Sequence, residues 1–262
     1  MTEVSAEKVN ILDGERVDDT GFGQLRLIQK PEEFCYGVDA VILADFAAKY
    51  VVSASVRNGS NITAVDLGTG TGIIPLILSY KTKWNNLIGI EVQQGSFDRA
   101  CRNAALNGTE DRMRFINGDV KDFGTIWGGD MKGTASVVTS NPPYTENTGG
   151  LKNSNSAKTI ARHETTAGLE DFIRCASGLL QNKGDFFMVH RPSRLVDICC
   201  LSRKYNLEPK EMCFVSPDAE TAPNILLIHM VKGGGRQMKL LDPLYVYNSD
   251  GTYTDKLREC YK

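Results

Sequence analysis

The 262-residue chain has no run of about eighteen apolar residues, the length a helix needs to cross a bilayer. Its opening stretch, MTEVSAEKVNILDGERVDD, is acidic and polar where a secretory leader would be basic and then apolar. Both absences lead to the expectation of a soluble, cytoplasmic protein with no membrane partner. An excess of positive charge is missing too: 30 Lys+Arg against 32 Asp+Glu give a formal charge of −2, which argues against a surface coated for non-specific nucleic-acid binding. The seven cysteines (Cys35, Cys101, Cys175, Cys199, Cys200, Cys213, Cys260) include no C-x-x-C pair, so neither a zinc motif nor a dithiol couple is expected, and no metal site. They read as reduced thiols, mostly in the core. Nine prolines, 25 glycines and 41% apolar residues exclude collagenous, disordered and coiled-coil classes.

What is present from residue 62 onward is an alternation of short β-branched runs with longer segments of helical period. Strands are expected at Ile62–Leu67, Leu87–Glu91, Met113–Asn117, Ser136–Ser140, Asp185–His190, Leu207–Val215 and Asn224–Val231. Helices are expected at Gly72–Tyr80, Gln94–Asn107, Leu169–Leu180 and Arg194–Tyr205, with Asn107-Gly108 and Asn182-Lys183-Gly184 as stop signals. The fold class is therefore α/β: a seven-stranded, mostly parallel sheet flanked by helices in a three-layer sandwich. Residues 1–60 read as an N-terminal extension, with a strand at Leu25–Gln29 and a helix at Asp39–Tyr50, ahead of the domain at 61–262. The whole is expected to be one compact unit. Residues 145–166, polar and without periodicity, read as a functional or disordered loop.

Three features carry chemistry. In Val65-Asp66-Leu67-Gly68-Thr69-Gly70-Thr71-Gly72-Ile73 a strand enters a glycine-rich turn and then a helix, and glycines let a ligand approach the backbone. The spacing is G-x-G-x-G, not the dinucleotide G-x-G-x-x-G, which counts against a dinucleotide-dependent oxidoreductase. The next strand ends in Glu91, whose carboxylate suits a pair of ribose hydroxyls, and the following one in Asn117-Gly118-Asp119, a third acid at the carboxyl edge. Those acids suit a nucleoside with no phosphate to cradle. In Ser140-Asn141-Pro142-Pro143-Tyr144, finally, two prolines stiffen a turn that presents the Asn141 and Pro142 carbonyls and the Asn141 amide as fixed acceptors. Such acceptors can take both hydrogens of a planar NH₂ group and turn its lone pair toward an electrophile, and Tyr144 can stack on a base. A non-catalytic RNA-binding module would have no use for Asn141.

Together these motifs resemble the S-adenosylmethionine-dependent amino-methyltransferases of class I, Rossmann-like fold. That resemblance implies S-adenosylmethionine as cofactor, with Asp66, Gly68, Thr69, Gly70, Gly72, Glu91, Asp119, Val120 and Asn141 around it, and Asn141, Pro142, Pro143 and Tyr144 as the catalytic turn. The motifs alone do not choose between adenine and a glutamine side chain. Phe34-Cys35-Tyr36-Gly37-Val38-Asp39-Ala40, Ala161-Arg162-His163-Glu164, Met188-Val189-His190-Arg191-Pro192 and Pro243-Leu244-Tyr245-Val246-Tyr247 with Tyr253-Thr254-Asp255 extend the likeness along nearly the whole chain. They resemble the bacterial tRNA1(Val) (adenine-37-N6)-methyltransferase family, although Gln93-Gln94 stand where glutamates are common. The family implies adenine beside an anticodon as substrate, and implies that Phe34, Tyr36 and Gly37 fold over the cofactor. Another Asn-Pro-Pro-Tyr enzyme acting on rRNA, DNA or a protein glutamine is the alternative.

Charge by segment makes an RNA surface plausible. Residues 1–150 carry 14 basic and 19 acidic groups and 205–262 carry 7 and 8, whereas 151–204 carry 9 and 5. Lys152, Lys158, Arg162, His163, Arg191 and Arg194, with Arg203 and Lys204, are the candidates for phosphate contact, and Tyr144 for the base. His163 reads as positional and His229 as a core or sheet-face residue. The expected partner is a tRNA anticodon loop. No obligatory protein partner is expected, and the chain could be a monomer or a homodimer.

Overall fold

Alternation of apolar side chains along the strands decides where the two cores lie. The computed structural model of the protein describes residues 9–33, 35–58, 62–144 and 167–262, and the side chains of those segments apart from residues 50–58. In chain order the elements are β1 (Arg16–Asp19), β2 (Arg26–Gln29), α1 (Val38–Asn58), β3 (Thr63–Leu67), α2 (Ile73–Lys81), β4 (Asn86–Glu91), α3 (Gln94–Leu106), β5 (Met113–Asn117), β6 (Ala135–Ser140), α4 (Leu169–Leu179), β7 (Leu180–His190), α5 (Leu195–Lys204), β8 (Leu207–Ser216), β9 (Ile225–Lys232), β10 (Lys239–Leu240), β11 (Leu244–Tyr245) and α6 (Asp255–Cys260).

The main sheet runs β10-β8-β9-β7-β6-β3-β4-β5. Neighbours from β7 to β5 are parallel, and β9 is antiparallel to both β7 and β8. The seven expected strands are all present, and the sheet is mostly parallel as expected. The short β10 and β11 add to β8 in parallel, so the sheet has nine strands rather than the expected seven. Along β7, Phe187 and Val189 enter one core with residues of α1, α2, α3 and α6, while Phe186 and Met188 enter another with α4 and α5. That period of two is what a strand buried on both faces requires, and it produces the three layers.

The N-terminal hairpin β1–β2 lies outside that sheet and is held by side-chain amides in α3 and at its C-cap. Asn103 Oδ1 accepts the Ile28 N–H at 2.6 Å, and its amide donates to Thr71 O at 2.9 Å. Asn107 takes both backbone groups of Arg26, at 2.9 and 2.7 Å. Glu15 adds two hydrogen bonds from Arg102, each 2.6 Å.

Four local expectations need correction. β1 was not expected, because Arg-Val-Asp-Asp offers no apolar alternation. α1 runs past Tyr50 to Asn58, since no breaker occurs before Gly59. Asn182-Lys183-Gly184 lies inside β7, which starts where α4 stops: Lys183 takes a φ of 62°, and the pairing with β6 shifts register there. The cysteines are all free, but only Cys175, Cys213 and Cys260 are buried. Cys101 and Cys200 are exposed on α3 and α5, so helix faces rather than core hold much of the thiol content. Among the described residues no helix is long and apolar enough to cross a membrane.

Candidate functional site

β3 is hydrogen-bonded to β4 on one side and to β6 on the other, so the direction of strand addition reverses beside it. Ligands of open parallel sheets bind outside the carboxyl ends of the strands at such a reversal. Five chain segments converge on that edge: the glycine turn after β3, Glu91 ending β4, Asn117-Gly118-Asp119 at the end of β5, Asn141–Tyr144 after β6, and His190-Arg191 at the end of β7.

The glycine turn is tied to β4. Gly68 and Thr69 both donate N–H to Ile90 O at 2.9 Å, and Gly70 donates to Glu91 Oε2 at 2.9 Å. Glu91 Oε1 accepts the Gln93 N–H at 2.8 Å. Both carboxylate oxygens thus hold backbone, and each keeps a further lone pair for a ligand hydroxyl. Burial raises the proton affinity of Glu91, and those N–H groups oppose the rise. Gly70, at φ 56°, has no atom within 4 Å of where a Cβ would stand, so the space above it is open. Gly72, at φ 83°, is required by packing, since a Cβ there would lie 2.9 Å from the Phe115 ring.

Asp66 lies beneath the turn, 2% exposed. Thr139 Oγ1 on β6 donates to its Oδ1 at 2.6 Å, and Oδ2 is buried with no well-formed hydrogen bond among the described residues. Burial pushes this carboxyl up to about 7, and the nearby Glu91 charge adds to the rise. Asp119 accepts the Lys121 N–H at 2.9 Å at the start of a short 3-10 turn. The side chain of Val120, in that turn, belongs to the core beneath α4.

In the turn after β6, Ser140 is locked by its hydroxyl donating to Leu67 O at 3.1 Å. Pro142 is buried, Pro143 exposed, and Asn141 and Tyr144 half-buried. Tyr144 Oη lies 2.8 Å from Asn141 Oδ1 and 3.0 Å from Asp39 Oδ2 on α1. The Arg191 guanidinium sits 4.7 Å from the centre of the Tyr144 ring, and the His190 ring meets its edge at 5.3 Å. His190 Nδ1 accepts the Arg191 N–H at 2.8 Å. Burial, with Arg194 nearby, pushes this imidazole down to about 4, so it is neutral at neutral pH.

The structure therefore places Asp66, Gly68, Thr69, Gly70, Glu91, Asp119, Asn141, Pro142, Pro143, Tyr144 and Arg191 along one edge. Tyr36 is half-buried ahead of α1, with its N–H donating to Gln29 Oε1 at 3.2 Å, and Gly37 is exposed beside it. Arg194, one turn beyond Arg191, is paired with Asp197 at 2.7 Å. Arg203 and Lys204 are at the far end of α5, which returns to the opposite edge, and are paired with Glu208 and Glu170. Phe34, Lys152, Lys158, Arg162 and His163, with the loop 145–166, lie outside the described residues. His229 is fully buried in the sheet, 2.8 Å from Asp185 and stacked on Phe187. Sequence reasoning assigned no role to Asp39, an acid in the first turn of a helix, or to Thr139; neither carries a local signal of its tertiary partner.

Residues 26–197 match the family described as the methyltransferase small domain. A tRNA1(Val) (adenine(37)-N6)-methyltransferase of Porphyromonas gingivalis is 27% identical over 233 residues, covering 80% of this chain and 88% of the relative. One of Pedobacter heparinus with the same name is 25% identical over 241 residues, covering 92% and 95%. Among solved structures, a predicted O-methyltransferase from Agrobacterium tumefaciens superposes with a TM-score of 0.66 at 18% identity, over 85% of this chain and 95% of that one, which bears on the fold alone.

Proposed function

The chain belongs to the methyltransferase small-domain family, and from that premise we propose that it moves a methyl group from S-adenosylmethionine to N6 of an adenine in a tRNA anticodon loop, at position 37 of a tRNA1(Val)-like substrate. The observation that carries this reading is the Asn141-Pro142-Pro143-Tyr144 turn, set beside the open glycine turn at the reversal of strand order. The relatives' shared name supports the choice of adenine in tRNA.

The residues present fit the cofactor. Gly70 leaves room for a ligand against the backbone, Asp66 is a buried acid beneath the turn with one oxygen lacking a well-formed hydrogen bond, and Glu91 retains acceptor capacity for ribose hydroxyls. The reading assigns Asp119 and the Val120 backbone to the adenine ring as polar partners, and Phe34, Tyr36 and Gly37, which precede α1 in the chain, to its cover. When bound, S-adenosylmethionine supplies an electrophilic methyl group on a sulfonium sulfur.

On the substrate side, Asn141 Oδ1 and the Pro142 carbonyl accept the two amine hydrogens, which directs the nitrogen lone pair out of ring conjugation. The prolines hold those acceptors in place before substrate arrives, which is preorganised stabilisation of developing charge. Tyr144 offers a ring face for the base, worth about 1–3 kcal/mol of stacking. No general base is needed, because the amine attacks neutral and loses its proton afterwards; a buried neutral His190 agrees with that economy. Arg191, with Lys152, Lys158, Arg162 and His163, supplies the phosphate side, while Arg194 is held by Asp197.

Incubation with labelled methyl donor and a panel of unmodified tRNAs, followed by nucleoside analysis, tests the reading: N6-methyladenosine in one tRNA is expected. Label confined to rRNA, DNA or protein glutamine would overturn the substrate. Asn141→Ala is expected to bind S-adenosylhomocysteine as the parent does while turnover falls by about 100-fold or more, the loss typical of removing one preorganised acceptor or donor.

A further inference from the structure

One hydroxyl faces two acceptors at the mouth of the site. Tyr144 Oη is 2.8 Å from Asn141 Oδ1 and 3.0 Å from Asp39 Oδ2. A phenol carries a single proton and donates it to one of them at a time. The choice matters, because Asn141 Oδ1 is the atom assigned above to the target amine. A carboxylate is the stronger acceptor.

We propose that Asp39 is a positioning residue for the methyl transfer: by taking the Tyr144 proton it leaves the Asn141 carbonyl open to the substrate amino group. The inference deepens the proposed function and rests on it for its kinetic part. Asp39 is well placed for the task. Its Oδ1 accepts the Ala40 N–H at 2.9 Å, which fixes the side chain and aims Oδ2 at the phenol. A Cβ on Gly37 would stand 3.0 Å from Oδ1, so the glycine keeps that rotamer accessible. Burial of the phenol, then the Asp39 charge and hydrogen bond, raise the proton affinity of Tyr144, and the Arg191 guanidinium over its ring opposes them. With its proton affinity raised, Tyr144 remains a donor over the working pH range.

Asp39→Asn preserves shape and the Ala40 contact, but its amide can donate to Tyr144 Oη and turn the phenol proton onto Asn141. Turnover should then fall roughly 10- to 100-fold, with KM for tRNA and affinity for S-adenosylhomocysteine within about twofold of the parent, as loss of an acceptor used in the transition state requires. Adding Tyr144→Phe to Asp39→Asn removes the competing proton and should return turnover to that of Tyr144→Phe alone. A double variant slower than Asp39→Asn would overturn the proposal, since a scaffold role predicts additive losses. A second readout needs no substrate: in protein labelled at tyrosine Cζ, the Tyr144 resonance, assigned by its loss in Tyr144→Phe, should shift and titrate at lower pH in Asp39→Asn. An unchanged resonance would overturn it too. If the parent enzyme leaves tRNA unmethylated, the function proposed above falls, and the resonance still decides whether Asp39 holds the phenol.

Discussion

Asp66 and His190 are buried titratable side chains pushed in opposite directions by the same cause. Burial raises the Asp66 carboxyl from 3.8 to about 7 and lowers the His190 imidazole from 6.5 to about 4. The folded state holds the Asp66 proton where the unfolded chain has lost it, so this group favours folding as pH drops from 7 toward 4. His190 acts the other way: the unfolded chain takes its proton below 6.5 and the folded state does not, so stability falls as pH drops through the same range. Each effect amounts to about 3–4 kcal/mol over its window and the two offset. Denaturant unfolding between pH 4 and 6.5 should therefore show, relative to the parent, a loss of stability with acid for Asp66→Asn and a gain with acid for His190→Gln. Parallel profiles for the three proteins would refute the assignment. The glycine turn and the Asn-Pro-Pro-Tyr turn were legible at this scale because spacing and residue type carry their chemistry. Glu91 was legible only in part: its use as a clamp on the Gly70 and Gln93 amides is a tertiary fact with no trace in the local string.

At the scale of elements, the strands and helices of the main sheet follow from β-branched runs and helical period, and all seven long strands appear where that pattern puts them. What escaped was short or polar: β1, the two-residue strands beside β8, and α6, a helix of 6 residues capped by Thr254. Such elements bury too little surface to leave a periodic signature, and exist because a partner is already in place. The β1–β2 hairpin shows the dependence most clearly. Arg102 holds the Glu15 carboxyl down at about 2 from its usual 4.5, so the pair contributes stability fully above pH 4.5 and loses it as pH falls toward 2. Amide exchange in residues 16–29 should accelerate selectively over that acid range, with the main sheet still protected. Arg102→Met should bring the same acceleration already at pH 6, and an unaltered exchange pattern there would show that the Asn103 and Asn107 amides suffice alone.

For the whole molecule, a formal charge of −2 conceals an uneven distribution, with the basic excess confined to residues 151–204. Within that segment Arg174, Arg194, Arg203 and Lys204 already have carboxylate partners, which leaves at most five of its nine cations for an RNA backbone. The dependence of tRNA affinity on salt should accordingly be shallow, with a log–log slope of roughly −1 to −3, the release expected for two to four single-strand phosphates. A slope steeper than about −5 in filter-binding titrations would demand a broader basic surface.

The way the hairpin is anchored also bears on how the chain is made. Its contacts reach residues 75, 81 and 87 positions further along, all in α3 or just after it. During synthesis the hairpin emerges ahead of α3 and has nothing to dock on until α3 has been translated and has packed against its own strands. Closing loops of that length delays the reward for ordering the segment. The hairpin residues are thus fixed only after α3, which follows them in the chain, and a chain stalled before Asn103 would carry them exposed to proteases and chaperones.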